Sequence, residues 1–343
     1  LYSDDQVVVI TENEAEELEQ SVSDTLNRHF WLTLDDQWNP DLSSRTVLAY
    51  AGLENERDAE VNDPERMIAS VVDRRKAEIF SLEQLWRYSG LADHRLSWGF
   101  SLRQERARYD YRSQAIYLGL YEFYPGIESP TENRILAEPE GSSQTLWLSD
   151  RWQLTNQTRM ELGVRWDRQG YTGPDHETQF SPRISLLHAI GDRTELRLTW
   201  GRYQQSQAIH EMQVEDGIDR FFAPQRSDHY IAGIQHRFAG SYRLRLEAYV
   251  KDYGRLKPRF ENLFNPLAMI PELSPDRVAL LPASARSAGV EATIESRGGR
   301  ELDWWITYSI SRATDRIDGV EQRRSWDQRH ALQAGLAWQR GPW

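Results

Sequence analysis

Apolar residues recur at every second position in six segments of this chain, among them Leu96 to Leu102, Met160 to Asp167 and Leu196 to Trp200. The same alternation runs through Tyr242 to Ala248, Leu302 to Tyr308 and Leu332 to Trp338. Successive side chains of a strand point to opposite faces, so each segment has one apolar and one polar face. The charges Arg103, Glu161, Arg165, Glu195, Arg197, Arg243, Arg245, Glu247 and Asp303 all fall opposite the Leu/Trp/Val row. With turn signals added, the pattern predicts about fourteen strands, near 5–11, 24–38, 44–57, 76–88, 93–108, 142–153, 158–170, 178–190, 193–205, 226–238, 240–254, 284–296, 301–313 and 325–339.

The connections alternate in length. Short turns fall at Asn39 to Ser43, Leu91 to Asp93, Thr155 to Gln157, Ile190 to Asp192, Ala239-Gly240 and Gly298 to Arg300. Long segments lie near 58–75, 109–141, 204–225, 255–283 and 314–324, with 171–177 the one modest member. Such parity is what an antiparallel up-and-down transmembrane β-barrel of the bacterial outer membrane shows, the tight turns being periplasmic. A strand of 12 to 14 residues spans roughly 40 Å at about 3.3 Å per residue, enough to cross the hydrocarbon at a tilt of about 45°. A soluble β-sheet ligand-binding protein would show shorter strands and no parity.

Composition agrees with a barrel and excludes other classes. The chain has 343 residues, 39% of them hydrophobic, and a mean hydropathy of -0.71. No run approaches the roughly 18 apolar residues of a spanning helix, whereas barrel strands hide half of each segment in a polar lumen. Thirteen Trp and 15 Tyr suit aromatic rings at a membrane interface. A net charge of -12 with no basic stripe argues against a nucleic-acid partner. There is no Cys, hence no disulfide and no thiolate chemistry. The acidic stretch Glu12 to Gln20 reads as an outer loop.

Catalytic chemistry is not visible. No phosphate loop or nucleophile elbow occurs, His210-Glu211 lacks the second His of a zinc helix, and Asp315 to Gly319 lacks the ligand ladder of a calcium loop. Asn156-Gln157-Thr158 matches a glycosylation sequon but lies in a tight turn. No cofactor, metal site or enzyme is expected. Binding is the more plausible chemistry. The segments 204–225 and 255–283, with Tyr203 at the border of the first, place aromatic beside polar side chains: His210, Glu211, Phe221, Phe222, Phe260, Asn262 and Phe264. A small-ligand site needs that mixture, and the same aromatics would equally serve to pack the loops on one another.

Several strings resemble the barrel of a TonB-dependent outer-membrane receptor. Phe180 to Leu186 followed by Gly191 to Tyr203 is similar to that family's mid-barrel hairpin, and Ser227 to Phe238 and Tyr242 to Tyr253 resemble the next two strands. Arg286 to Glu291 resembles its recurrent small-Gly-Val-Glu strand opening, and Ser325 to Leu332 its late Asp-Gln-Arg-His segment. The resemblance implies a barrel of about twenty-two strands filled by an N-terminal plug that engages the TonB complex. It also implies outer-membrane lipid and lipopolysaccharide as surroundings and a scarce nutrient, such as an iron chelate, cobalamin or oligosaccharide, as ligand. Neither a plug nor a TonB-binding segment is recognisable, the chain opens at Leu1 without an initiator Met, and it stops at Gly341-Pro342-Trp343. Residues 1–343 are therefore expected to be a partial barrel domain, an internal piece of such a receptor, with another outer-membrane pore or barrel enzyme as the alternative.

Overall fold

The computed structural model describes residues 2–12, 18–124, 128–172, 178–238, 241–265, 268–296 and 302–338. Alternating residues this rich in β-branched and aromatic types build strands almost throughout. The first half contains β1 (Tyr2–Glu12), β2 (Leu18–Asn39), β3 (Leu42–Asp63), β4 (Met67–Tyr88), β5 (His94–Tyr117), β6 (Thr131–Ala137), β7 (Glu140–Gln153), β8 (Thr158–Gln169) and β9 (Gln179–Phe180). The second half contains β10 (Arg183–Ile190), β11 (Thr194–Gln205), β12 (Gln225–Arg237), β13 (Tyr242–Gly254), β14 (Arg259–Asn262), β15 (Arg277–Leu280), β16 (Ser284–Ser296), β17 (Leu302–Ile317), β18 (Val320–Arg323) and β19 (His330–Trp338). Helical structure among the described residues is limited to three short 3-10 turns.

Fourteen of these strands form one antiparallel meander in the order β1-β2-β3-β4-β5-β7-β8-β10-β11-β12-β13-β16-β17-β19. They correspond one for one to the strands expected from the alternation. The extra strands β6, β9 and β18 pair with the outer ends of β5, β8 and β17, and β14 and β15 form a separate hairpin. Gly191, at φ 63°, supplies the left-handed residue of the tight β10–β11 turn. The turns at 239–240 and 298–300, most of the acidic stretch (13–17) and the terminal 339–343 lie outside the described residues.

The register puts even-numbered residues of every stave on one face. Leu32, Leu48, Leu82 and Leu102 are consecutive cross-strand partners, and Leu186, Leu198, Ala232, Ala248, Val290 and Ile310 form a second continuous row. These side chains are largely uncovered, Leu198 being 57% exposed, as a lipid-facing surface should be. Aromatic rings bound the belt. Trp38, Trp86 and Trp98 stack in sequence near the tight turns, with centroids 5.6 and 6.3 Å apart. Phe30, Tyr50 and Phe80 do the same toward the long-loop end, at 6.3 and 4.8 Å. The nine charges singled out above all occupy the opposite, odd-numbered face. There the bulky Trp147 and Trp305 lie across Gly99 and Gly335 of the neighbouring strands, where a Cβ would overlap their indoles.

Three expected loops are in large part strand, although 118–130 remains outside any strand. Segment 58–75 is β3 running to Asp63, a tight turn and β4 starting at Met67; β5 continues to Tyr117, and β17 to Ile317. The physical reason is a change of phase. Beyond Gly52 the even positions of β3 become Glu54, Glu56, Asp58 and Glu60, while the odd positions Ala59 and Val61 are now buried. Alternation thus persists with its faces exchanged, because the outer face has left hydrocarbon for water and the inner face has gained a packing partner.

Candidate functional site

The partner is supplied by the two long loops, 206–224 and 255–283. Their side chains Ile209, Met212, Val214, Ile270 and Leu273 join the odd-face residues Val61, Ala69, Val71, Tyr109, Tyr111 and Tyr117 of β3, β4 and β5 in one buried cluster. Each fully covered aliphatic side chain contributes about 1.5–3 kcal/mol, which holds the loops against the raised wall. The β3–β5 arm thus stands beyond the aromatic ring as a scaffold on which both loops fold.

Polar contacts fix their seating. The Tyr109 hydroxyl donates to the Ile209 carbonyl (2.6 Å) and accepts the Met212 N–H (3.2 Å). Tyr117 and Tyr171 donate to the carbonyls of Leu273 (2.9 Å) and Gln207 (3.0 Å). Arg75 bridges Asp73 and Glu215 at 2.6 Å each, Arg57 pairs with Glu272, and Arg277 clasps Asp216 at 2.8 Å with both ends of its guanidinium. The last pair joins one loop to the other. Burial would push the Arg75 guanidinium down, but the Asp73 and Glu215 carboxylates outweigh it and hold it above its ordinary value. Burial pushes the Tyr109 hydroxyl up to about 12, so it remains a donor at all physiological pH. Removing that hydroxyl in Tyr109→Phe leaves the Ile209 carbonyl and Met212 N–H without their partner at a cost of about 1–3 kcal/mol. Amide exchange over 207–216 should quicken roughly tenfold or more with unchanged receptor level; exchange identical to wild type would show that the contact does not hold the loop.

The eight residues singled out from the sequence fall in three places. Tyr203 lies on the odd face of β11, its ring 4.5 Å from that of His229. In the first loop His210 and Glu211 are exposed, Glu211 accepting the Ala208 N–H at 2.9 Å. Phe221 packs edge-on against Tyr171 at 5.0 Å, and the Phe222 N–H donates to Gln207 Oε1 at 2.8 Å. In the second loop Phe260 lies under the Arg277 guanidinium, and Asn262 donates to the Pro271 carbonyl and accepts from Arg277. Phe264 is 75% exposed beside a cleft of about 130 Å³ that Tyr121, Tyr124 and Met269 also line. Its N–H and that of Asn265 donate to Asp276, and together with Asn262 they outweigh burial and hold that carboxyl below the usual range. Phe221 and Asn262 thus have packing and clamping contacts, while His210, Glu211 and Phe264 are exposed, Glu211 also holding the Ala208 N–H.

Below the loops the odd face of the wall is polar. Arg103, Arg165, Arg183, Trp147 and Tyr203 border a cavity of about 350 Å³, with Arg103 facing Glu83 and Arg165 chelating Asp167 at 2.7 Å. Among the described residues no three His, Asp or Glu side chains converge as a metal site. The seating residues Tyr109, Tyr117 and Arg75 were missed in the sequence because they lie in segments read as loops. Their signal was present, since Ala107, Tyr109, Tyr111 and Tyr117 share one parity.

The family model described as "TonB dependent receptor-like, beta-barrel" matches residues 10–343. The chain belongs to the TonB-dependent receptor family. Members of this family are outer-membrane transporters rather than enzymes, and the outer membrane is the location of this barrel. Solved structures share the fold at low identity. The copper transporter OprC aligns with a TM-score of 0.65 at 13% identity, over 99% of this chain and 56% of that one. The ferric yersiniabactin uptake receptor FyuA of Yersinia pestis gives 0.60 at 13%, over 95% and 48%. The ferripyoverdine receptor of Pseudomonas aeruginosa gives 0.53 at 12%, over 99% and 57%. The chain thus spans about half the length of the solved structures it matches. No curated protein matches it in sequence.

Proposed function

We propose that residues 1–343 form wall and outer vestibule of a TonB-dependent receptor that captures a scarce nutrient on loops 206–224 and 255–283 for energy-coupled uptake. The observation that carries this reading is the seating of both loops on the β3–β5 arm, with Tyr109, Tyr117 and Tyr171 holding their backbones. Loops fixed on a rigid scaffold are the usual location of binding residues. Among the described residues β1 pairs only with β2 and β19 only with β17, and an unpaired edge is not tolerated in hydrocarbon. Both edges therefore require further strands, which fits a larger barrel in which these are the internal staves. Coupling to the TonB complex would belong to a plug outside these residues.

The ligand-facing assignment is tested by His210→Ala, Glu211→Ala and Phe264→Ala combined in the full-length receptor. Because all three side chains are exposed and outside the buried cluster, and Glu211 gives up only its bond to the Ala208 N–H, outer-membrane level should stay near wild type. Half-saturating nutrient concentration should rise about tenfold or more, equivalent to roughly 1.4 kcal/mol of lost binding. Uptake indistinguishable from wild type for every nutrient carried would remove these residues from the site.

A further inference from the structure

The outer tip of the β3–β5 arm carries apolar side chains that no lipid covers. Asp63 lies thirteen residues beyond Tyr50 of the outer aromatic ring, roughly 40 Å along β3 before tilt. The 3-10 turn Gly119–Phe123, which follows β5, leaves Leu120 86% and Phe123 80% exposed. Side chains three apart in such a turn eclipse, so Leu120 and Phe123 project together. Tyr121 and Tyr124 form the other side and line the cleft of about 130 Å³ beside Phe264. Apolar surface gathered in this way on a water-facing tip marks an interaction site.

The backbone under these side chains is fixed. The Leu118 N–H donates to the Arg66 carbonyl at 2.7 Å, and Gly119, at φ 58°, sits so close to the β3–β4 turn that a Cβ would stand 2.5 Å from the Glu65 carbonyl oxygen. Asp276 holds the Phe264 and Asn265 N–H groups at 2.6 and 3.1 Å. The charge around them is one-sided. The described segments that meet here, 18–19, 62–66, 118–124, 128–130, 262–265 and 268–276, carry seven acidic residues and one cation, Arg66. Glu272 pairs with Arg57, Asp276 is engaged by backbone N–H groups, and Asp63 faces Arg66 at 3.5 Å. Glu65, Glu122 and Glu128 are exposed and meet no cation among the described residues, and Glu19 lines the cleft. Arg112 and Arg134, paired across β5 and β6, lie four residues below Ile116, about 13 Å down the strand.

We infer that this tip docks a basic peptide, one apolar side chain of which enters the cleft against Tyr121, Tyr124 and Phe264. Its other apolar side chains rest on Leu120 and Phe123, and its Lys or Arg side chains meet Glu65, Glu122 and Glu128. The size of the cleft points to a peptide, because 130 Å³ is below the roughly 300–1,000 Å³ of small-molecule sites yet takes one side chain. The unpaired carboxylates select cations, and they reject a second copy of this chain, whose net charge is -12. Fixed backbone keeps the ordering cost of docking low. The dock goes beyond the nutrient capture proposed above, since it uses neither His210 nor Glu211 and binding there requires no transport.

The test uses the full-length receptor in phosphatidylcholine nanodiscs, titrated with three labelled nonapeptides and read by fluorescence anisotropy against empty nanodiscs. The first peptide carries Leu, Phe and Leu among Lys residues, the second has Glu in place of Lys, and the third has Ser in place of the apolar residues. Wild type should bind the first saturably and the other two about tenfold or more weakly. Leu120→Ser combined with Phe123→Ser should weaken the first peptide roughly tenfold. Glu65→Gln combined with Glu122→Gln should weaken it about fivefold and flatten its salt dependence. His210→Ala should leave it unchanged. Equal binding of the three peptides by wild type would overturn the dock even if a variant failed to assemble. So would equal binding of the first peptide by wild type and an assembled Leu120→Ser, Phe123→Ser variant. Either failure would leave nutrient capture on His210 and Glu211 standing.

Discussion

Leu162→Arg and Leu198→Arg should each sharply lower the amount of assembled receptor in the outer membrane, whereas Arg165→Leu and Arg197→Leu should leave it close to wild type. Leu162 and Leu198 lie on the even face between the two aromatic rings, opposite Ile184 and Leu186 of β10. A guanidinium placed there enters hydrocarbon at a cost of about 2–4 kcal/mol per site, against a net stability usually of only about 5–15 kcal/mol. Arg165 and Arg197 are on the odd face; replacing Arg165 costs its pairing with Asp167 and a 3.4 Å bond to the Thr145 hydroxyl, which still donates to Asp167 at 2.7 Å. Levels read from heat-modifiable gel mobility should separate the two pairs clearly. Equal levels for all four variants would reverse or abolish the assignment of faces.

The second large effect concerns transport. Deleting 206–222 removes His210 and Glu211 together with Ile209, Met212 and Val214, and cuts the links from Glu215 to Arg75 and from Asp216 to Arg277. Uptake should fall to background while the level of assembled receptor stays nearly normal, because the staves below the outer aromatic ring make no use of the loop. Deleting 154–157 should do the reverse. There the Thr155 hydroxyl accepts the N–H groups of Gln157 and Thr158, and the β7–β8 register from Ser143↔Gln169 to Gln153↔Arg159 depends on that reversal. Without it the two strands must slip or separate, and slippage by one residue sends every side chain to the wrong face. Undiminished uptake after loss of 206–222 would take the ligand site away from this loop; normal assembly after loss of 154–157 would show that the hairpin is set elsewhere.

The fourteen staves were legible because each repeats a period of two between turn signals, and the polarity of their faces was legible from residues such as Arg197 and Glu247. The arm was hidden by its change of phase. Leu48 and Tyr50 set an even apolar row, Ala59 and Val61 an odd one, and between them neither parity is clearly apolar, so the strand appears to end. The seating of the loops was hidden for a different reason. Tyr109 meets Ile209 across 100 residues and Arg57 meets Glu272 across 215, distances over which no local period operates. For the same reason Phe221 and Asn262 could be placed in loops but not told apart from ligand contacts.

The exchange of faces near Gly52 also says how this barrel records the thickness of its membrane. Between Trp86 and Phe80 on β4 the even positions serve lipid, and beyond Ala77 the odd positions serve protein, with no break in hydrogen bonding. The boundary is therefore written as a residue count from the tight turn and not as a shift in overall hydrophobicity. Lengthening every stave by two residues below the exchange point would keep each side chain on its proper face and raise the arm and its loops together by about 7 Å before tilt. Membranes of different depth could thus be followed by paired insertions made in every stave at once, so that the arm and the loops seated on it rise together.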